Sequence, residues 1–132
     1  KVLFSMVFPQ IFDPRGLSDF LPIDSLSPTP ISFVPKNTRI NPANEGITLN
    51  YPLLAIDDSN NPVARIRTYF PNDLTAKKLY NLDLTGQPNI GFKTTDSKII
   101  YMGIPLHRAN GAPFNVKSFF NKVLFEEFGL TQ

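Results

Sequence analysis

The spacing of the prolines constrains the fold of this chain more than any other feature of the sequence. Thirteen prolines divide the 132 residues into short segments. Because proline cannot donate a backbone hydrogen bond, each one limits the helix or strand that contains it. Short apolar runs lie between the prolines, and 12 phenylalanines enlarge the area that a core can bury. The sequence therefore predicts a compact fold of many turns in which long helices are few.

The length and the charge restrict the class of protein. We expect residues 1–132 to form a single domain, and an apolar share of 42% is enough for a core. The net charge is only +2 and the basic residues are scattered, so we expect no nucleic-acid partner. The chain has no cysteine, which excludes disulfides, thiolate nucleophiles and metal sites built on sulfur. We expect no metal, no cofactor and no membrane span.

Two nearly continuous apolar runs, residues 2–8 and 99–104, are predicted to be strands. Neither run alternates between apolar and polar residues, which is typical of central strands that are buried on both faces. Residues 89–93 form a further predicted strand, and a turn at 95–96 joins it to the run at 99–104 as a hairpin.

The C-terminal segment predicts one amphipathic helix. Asn115 is its predicted N-cap and Gly129 its left-handed C-cap. The apolar stripe consists of Val116, Phe119, Phe120, Val123, Leu124 and Phe128. Glu126 and Glu127 are predicted to lie on the solvated side of this helix.

The remaining segments carry weaker patterns. Residues 25–50 contain four prolines and are interpreted as an irregular surface insertion, with short strands at 31–34 and 47–49. Residues 51–70 are predicted to be a hairpin and residues 73–80 a short helix. A turn at 13–16 and a helical turn at 17–20 complete the predicted elements.

These elements predict an α/β or α+β fold. It consists of a mixed sheet with two central apolar strands, short hairpins, a Pro-rich irregular segment and one C-terminal amphipathic helix. One helix covers only one face of such a sheet. We therefore expect a second subunit or an upstream stretch of chain to cover the other face. The alternative is that the sheet curls and the Pro-rich segment covers it.

His107, the sole histidine, follows the predicted strand at 99–104, where open α/β sheets place ligands. It is the one candidate catalytic residue, as a general base, and Arg108 beside it is a candidate ligand-binding residue. A base needs a nucleophile, however, and the chain has neither cysteine nor a serine in a Gly-x-Ser-x-Gly turn. A structural or exposed role for His107 is the simpler interpretation.

Arg65, Arg67 and Tyr69 alternate along one predicted strand and would share a face. Such a trio can bind a carboxylate, phosphate or glycan through forked hydrogen bonds and stacking. The simpler alternative is the solvated face of an edge hairpin. Residues 57–61 carry oxygen-bearing side chains like a calcium loop, but they lack its central glycine and terminal glutamate, so a solvated turn is favoured.

The run Lys98-Ile-Ile-Tyr-Met-Gly-Ile-Pro-Leu-His107, followed by a loop and the predicted helix, resembles the end of class I glutamine amidotransferase-like domains. The opening Lys1-Val-Leu-Phe-Ser5 resembles a core strand of degenerate versions embedded in large secreted bacterial proteins. The resemblance implies an open sheet with a cleft near His107, and a nucleophile turn upstream of Lys1. The family's glutamate two residues after the histidine is replaced by Ala109, so the resemblance implies no amidotransferase activity.

The leading hypothesis is a non-catalytic binding or structural module from an exported multidomain bacterial protein. The resemblance implies that the chain is the C-terminal part of a larger domain, and we expect an extracellular or periplasmic setting. One alternative is a fragment of a hydrolase or amidotransferase-like enzyme that contributes His107 to a cleft completed by other chain. Another is a carbohydrate- or anion-binding module.

Overall fold

The computed structural model describes residues 1–5, 21, 23–27, 29–44, 46–48, 50–72 and 74–131. The predicted turn at 13–16 and helical turn at 17–20 lie outside these residues. The described residues form ten strands: β1 Val2–Ser5, β2 Ile23–Leu26, β3 Ile31–Val34, β4 Arg39–Pro42, β5 Leu54–Ala55, β6 Val63–Ile66, β7 Tyr69–Pro71, β8 Ala76–Leu82, β9 Asn89–Thr94 and β10 Ile99–Met102. They also form short 3₁₀ helices at Gly46–Thr48 and Leu106–Arg108, and helix α1, Val116–Asn121, which continues as a π-helical segment, Lys122–Glu127.

The strands form one large mixed sheet and two small ones. The large sheet has the order β1-β10-β9-β8-β4-β5, in which β1 and β10 are parallel and all other neighbours are antiparallel. The small sheets pair β2 with β7 and β3 with β6. With its C-terminal helix, this arrangement confirms the predicted α+β class. The predicted hairpin of β9 and β10 is also confirmed, with Phe92 opposite Tyr101.

The two apolar runs occupy different positions in the large sheet. β10 is interior and almost fully buried, as its continuous apolar sequence predicts. β1 pairs with β10 alone among the described strands, so its Val2 and Ser5 are exposed. Ser5 nevertheless has a structural role, because its hydroxyl donates to the Ile104 carbonyl (3.0 Å) and accepts from the Leu106 amide (2.9 Å).

Helix α1 covers one face of the large sheet. Phe119 and Val123 are fully buried in the main core, and the Phe119 ring lies 5.9 Å from that of Tyr80 on β8. Asn115 caps the helix by accepting a hydrogen bond from the Lys117 amide (2.7 Å). Gly129 follows with a φ of 73°. The predicted helix and both of its caps are thus confirmed, and no described helix is long and apolar enough to cross a membrane.

Strand β7 covers part of the opposite face of the large sheet. Tyr69 packs on Phe92 and Tyr101, all three are fully buried, and the two tyrosine hydroxyls are hydrogen-bonded at 3.0 Å. Gly103 permits this contact, since a Cβ there would lie 2.4 Å from the Tyr69 ring. The chain covers its own sheet at this point. A second subunit or upstream chain on this face stays a prediction.

The predicted hairpin at 51–70 is wrong. β5 pairs with β4 and β6 pairs with β3, so each arm joins a strand from the Pro-rich segment instead of its sequence neighbour. Turn-rich residues between two apolar runs indicate a reversal of the chain, but they do not select the strand that each run contacts. The Pro-rich segment is therefore more than a surface covering, because β4 lies between β8 and β5 within the large sheet.

The predicted helix at 73–80 is also wrong, and Asp73, its predicted cap, lies outside the described residues. Residues 76–82 form β8, whose pairing with β9 shifts between Lys78 and Tyr80 because Leu79 is an extra residue in a bulge. The bulge breaks the two-residue alternation, so burial recurs at Ala76, Leu79 and Tyr80 with a spacing like that of a helix. The short strand predicted at 47–49 is wrong as well, since Gly46–Thr48 is a 3₁₀ turn.

Candidate functional site

His107 lies in the 3₁₀ helix Leu106–Arg108 after β10, and its side chain is exposed. The predicted position after the strand is therefore correct. Among the described residues, however, no nucleophile or orienting carboxylate is hydrogen-bonded to it. The geometry assigns His107 no chemistry beyond that of a surface histidine.

Arg108 anchors a loop. Its Nε donates to both carboxylate oxygens of Asp57 at 3.0 Å, and its Nη2 donates to the Asn61 carbonyl. The Asp57 amide in turn donates to the Arg108 carbonyl (2.8 Å). Because these donors are directed into the protein, Arg108 holds the 57–61 turn against the body and does not present a fork to a ligand.

The Arg65–Arg67–Tyr69 trio does not form a binding surface. Arg65 is exposed on β6 with a φ of 58°, Arg67 is half-buried and donates to the Ser27 carbonyl (2.9 Å), and Tyr69 is fully buried on β7. The positive φ at Arg65 interrupts the alternation that would have placed the three side chains on one face. A buried Tyr69 cannot stack on a sugar ring.

The 57–61 segment is a turn, as its sequence favours, and Arg108 holds it against the body of the protein. The Ser59 amide donates to the Asp57 carboxylate (3.3 Å) and the Asn61 amide to the Ser59 hydroxyl (3.2 Å). Within the described part of the chain, no group of three or more potential ligand side chains is arranged to hold a metal ion.

A cleft of about 770 Å³ lies elsewhere, between strands β4 and β8 and the 3₁₀ turn Gly46–Thr48. The cleft is lined by Asn41, Pro42, Ala43, Gly46, Ile47, Thr48, Lys77, Lys78, Asn81, Gln87 and Thr95. We call it the Lys77–Lys78 cleft. It is larger than the roughly 300 Å³ at which small-molecule sites begin.

The polar groups of this cleft are suited to an anionic or hydroxyl-rich ligand. Lys77 and Lys78 are both exposed on β8, and no carboxylate is present among the described lining residues. Asn41 and Asn81 are direct cross-strand partners, so their side chains share one face about 5 Å apart. Each carboxamide both donates and accepts hydrogen bonds, as sugar hydroxyls require, while each ammonium group can donate to an anion.

A buried ion pair lies behind one wall of the cleft. Lys93 on β9 is buried, with 3% of the residue exposed. Its ammonium group donates to Glu127 Oε2 at 2.6 Å and to the Ile47 carbonyl at 2.8 Å. Two ammonium groups lie over the Tyr51 ring, with Lys93 Nζ at 5.7 Å and Lys122 Nζ at 5.4 Å from its centroid. We call Lys93, Glu127, Tyr51 and the Ile47 carbonyl the Lys93 clasp.

The protonation of the clasp follows from its contacts. Burial alone would raise the pKa of Glu127, but the hydrogen bond from Lys93, the neighbouring Tyr51 hydroxyl and the charges of Lys93 and Lys122 bring it below the ordinary value. Burial raises the pKa of the Tyr51 hydroxyl, and the adjacent Glu127 carboxylate raises it further. At neutral pH the Glu127 side chain is therefore a carboxylate and the Tyr51 side chain a neutral phenol.

The predicted solvated position of Glu127 is wrong, whereas Glu126 is exposed as predicted. The last turns of the helix are π-helical, with the Phe128 amide bonded to the Val123 carbonyl five residues earlier. A π-helical turn contains one more residue than an α-helical turn, which changes the angular position of the following side chains. Glu127 consequently faces the sheet, while Glu126 forms an exposed pair with Lys122 (2.6 Å).

Sequence reasoning missed the residues of the cleft and the clasp. Lys77 and Lys78 are the only adjacent pair of lysine or arginine residues in the sequence, but they were assigned to a predicted short helix and not to a site. The sequence contained one signal for the clasp, the position of Lys93 in the strand predicted to pair with the buried run at 99–104. A strand in that position has covered faces, and a buried lysine needs an anionic partner. Nothing local in the sequence identifies Glu127 as that partner.

Comparisons with known proteins add no constraint: no protein family, curated protein or solved structure matches this chain. The resemblance to amidotransferase-like domains and the alternative of an enzyme fragment with His107 in a shared cleft therefore stay predictions.

Proposed function

We propose that this chain is a non-catalytic binding module, and that its ligand is an acidic saccharide held in the Lys77–Lys78 cleft. The observation that carries the proposal is the composition of that cleft. Lys77, Lys78 and the cross-strand pair Asn41 and Asn81 line it, without a carboxylate among the described lining residues. Ammonium groups fit carboxylate or sulfate substituents, and carboxamides fit the hydroxyls of a sugar ring.

The surroundings of His107 and Arg108 support a binding role over a catalytic one. The Arg108 guanidinium is already paired with Asp57, and His107 is exposed beside it without a hydrogen-bonded nucleophile among the described residues. General base catalysis needs a base within hydrogen-bond distance of the group that it activates.

The modest net charge favours a saccharide over a nucleic acid. Proteins that bind nucleic acids present an extended basic surface to many phosphates. Here the net charge is +2, and the cleft contributes two lysines next to neutral amides. A ligand with a few anionic groups among many hydroxyls fits that pattern better.

Calorimetric titration tests this proposal. The probes are an oligogalacturonate, a malto-oligosaccharide of equal length, sodium sulfate and a single-stranded RNA oligomer. We expect the oligogalacturonate to bind, with an affinity that decreases as the salt concentration is raised. The neutral saccharide and sulfate alone are expected to bind much more weakly. Equal binding of the neutral saccharide, or tighter binding of the RNA, would overturn the proposal.

The variant K77Q/K78Q links the binding to the cleft. We expect its affinity for the oligogalacturonate to be lower by about tenfold or more, because two charge-assisted hydrogen bonds are lost. The control is K117Q, which removes one exposed lysine from α1, distant in sequence from the cleft residues. Unchanged binding by K77Q/K78Q, or an equal loss in K117Q, would show that the cleft is not the site.

A further inference from the structure

The Lys93 clasp connects the C-terminal helix to the wall of the Lys77–Lys78 cleft. Lys93 Nζ is bonded at one side to Glu127 of the π-helical segment (2.6 Å) and at the other to the Ile47 carbonyl (2.8 Å). Ile47 belongs to the 3₁₀ turn Gly46–Thr48, and all three residues of that turn line the cleft. A single buried ammonium group thus joins the helix to the turn.

The turn is only partly buried. It contains three residues, of which Thr48 is fully buried while Gly46 and Ile47 are exposed, and Gly46 has a φ of 50°. A short 3₁₀ turn has weak internal hydrogen bonds, so its position depends on contacts with the rest of the protein. A charge-assisted hydrogen bond to its central carbonyl is a strong contact of this kind.

Lys93 can make this bond only because Glu127 neutralises it. The lysine side chain is 4% exposed and the glutamate side chain 12% exposed, so neither charge is well hydrated. Removing one partner of a buried pair leaves the other charge uncompensated, and a lysine in that situation moves towards water. Such a movement weakens the bond to the Ile47 carbonyl.

We infer that Lys93 and Glu127 are positioning residues, through which the C-terminal helix holds the 46–48 wall of the ligand cleft in place. They do not line the cleft among the described residues, and they act through the main chain of Ile47. The consequence for ligand affinity rests on the proposed function. The mechanical connection between helix and turn does not.

Hydrogen exchange without ligand tests the connection itself. E127Q preserves the shape of the side chain and removes its charge, whereas E126Q makes the same change at the exposed neighbour that pairs with Lys122. We expect E127Q to accelerate exchange of the amides of residues 46–48 by about tenfold or more, the factor for losing one charge-assisted hydrogen bond. E126Q should leave this exchange unchanged. Unchanged protection of 46–48 in E127Q would overturn the inference.

The exchange rates of the amides of β8 and β9 distinguish a general loss of stability from a local effect on the 46–48 turn. If E127Q accelerates their exchange as much as that of 46–48, the variant has weakened the whole fold and the specific connection is refuted. If E127Q does not fold, Y51F is the second variant. It removes only the hydroxyl that faces Glu127 and should accelerate 46–48 exchange by a smaller factor. No acceleration in a folded Y51F would then count against the inference.

Binding supplies the second readout. E127Q is expected to weaken oligogalacturonate binding through faster dissociation, with E126Q close to wild type. If K77Q/K78Q leaves saccharide binding unchanged while E127Q still accelerates amide exchange in the 46–48 turn, the proposed function fails and the connection between helix and turn stands. If binding depends on Lys77 and Lys78 but not on Glu127, the positioning role fails and the site stands.

Discussion

At the scale of single residues, two neighbours after β10 show how contacts determine roles. His107 is exposed, whereas Arg108 is half-buried and bonded to Asp57 and Asn61. Both were candidate site residues in the sequence because they follow a buried strand. The sequence located them correctly along the chain, but it could not show that Arg108 is already occupied by the 57–61 turn.

The two residues should therefore respond differently to substitution. Arg108→Met leaves the half-buried Asp57 carboxylate without its partner, and we expect the free energy of unfolding to decrease by about 1–3 kcal/mol. His107→Ala should change it by less than about 0.5 kcal/mol, as is usual for exposed positions. Denaturant unfolding measures both values. A larger loss in His107→Ala than in Arg108→Met would contradict these assignments.

At the scale of elements, the accuracy of the sequence-based predictions followed the locality of the interactions. α1, with Asn115 and Gly129 as caps, and the β9–β10 hairpin were predictable because the determining residues are close in sequence. The hairpin at 51–70 failed because β3 and β4 supply the actual partners. The helix predicted at 73–80 was wrong because the bulge in β8 gives a helix-like burial pattern. The predicted solvated position of Glu127 was wrong because the helix ends in π geometry.

The attachment of the C-terminal helix should make stability depend on pH in acid. The pKa of Glu127 is lower in the folded protein than the ordinary value of about 4.5, so the folded state favours its carboxylate. This contribution is fully present above about pH 4.5 and is lost as the pH falls through the folded-state pKa. Lys93, Tyr51 and Lys122 face the carboxylate, and Glu126 is its neighbour on the helix.

Unfolding measured between pH 7 and pH 3 checks this prediction. The slope of stability against pH below pH 4.5 should be smaller in E127Q than in wild type. E126Q keeps the Glu127 carboxylate, so it should retain the contribution of Glu127 to the wild-type slope. Asp96 adds a separate acidic slope, because hydrogen bonds from Thr94 and the Lys98 amide lower its pKa. That part should persist in E127Q. Identical acid slopes in wild type and E127Q would show that the clasp does not favour the carboxylate.

At the scale of the whole molecule, the class of fold was predictable and the site was not. Short apolar runs between prolines indicated a mixed α+β sheet with one C-terminal helix, which the structure confirms. The Lys77–Lys78 cleft depends on three segments that are distant in the chain: β4, the 46–48 turn and β8. Their proximity follows from strand pairing, which local sequence patterns do not specify.

The same distinction applies to the covering of the sheet. Counting faces indicated that one helix leaves a second face to be covered. β7 supplies cover there through Tyr69, which the sequence pattern had placed on one strand face with Arg65 and Arg67, either as a ligand-binding surface or, more simply, as a solvated face. An apolar ring with a polar hydroxyl suits either role, and only the packing against Phe92 and Tyr101 distinguishes them.

The most direct test of the central claim, that this chain binds an acidic saccharide in the Lys77–Lys78 cleft, is an amide chemical-shift titration. Labelled protein is titrated with oligosaccharides that carry carboxylate or sulfate groups. We predict saturable shifts confined mainly to residues 41–43, 46–48 and 77–81. Shifts centred on residues 64–67 or 107–108 instead, or no saturable shift with any of these saccharides, would contradict the account.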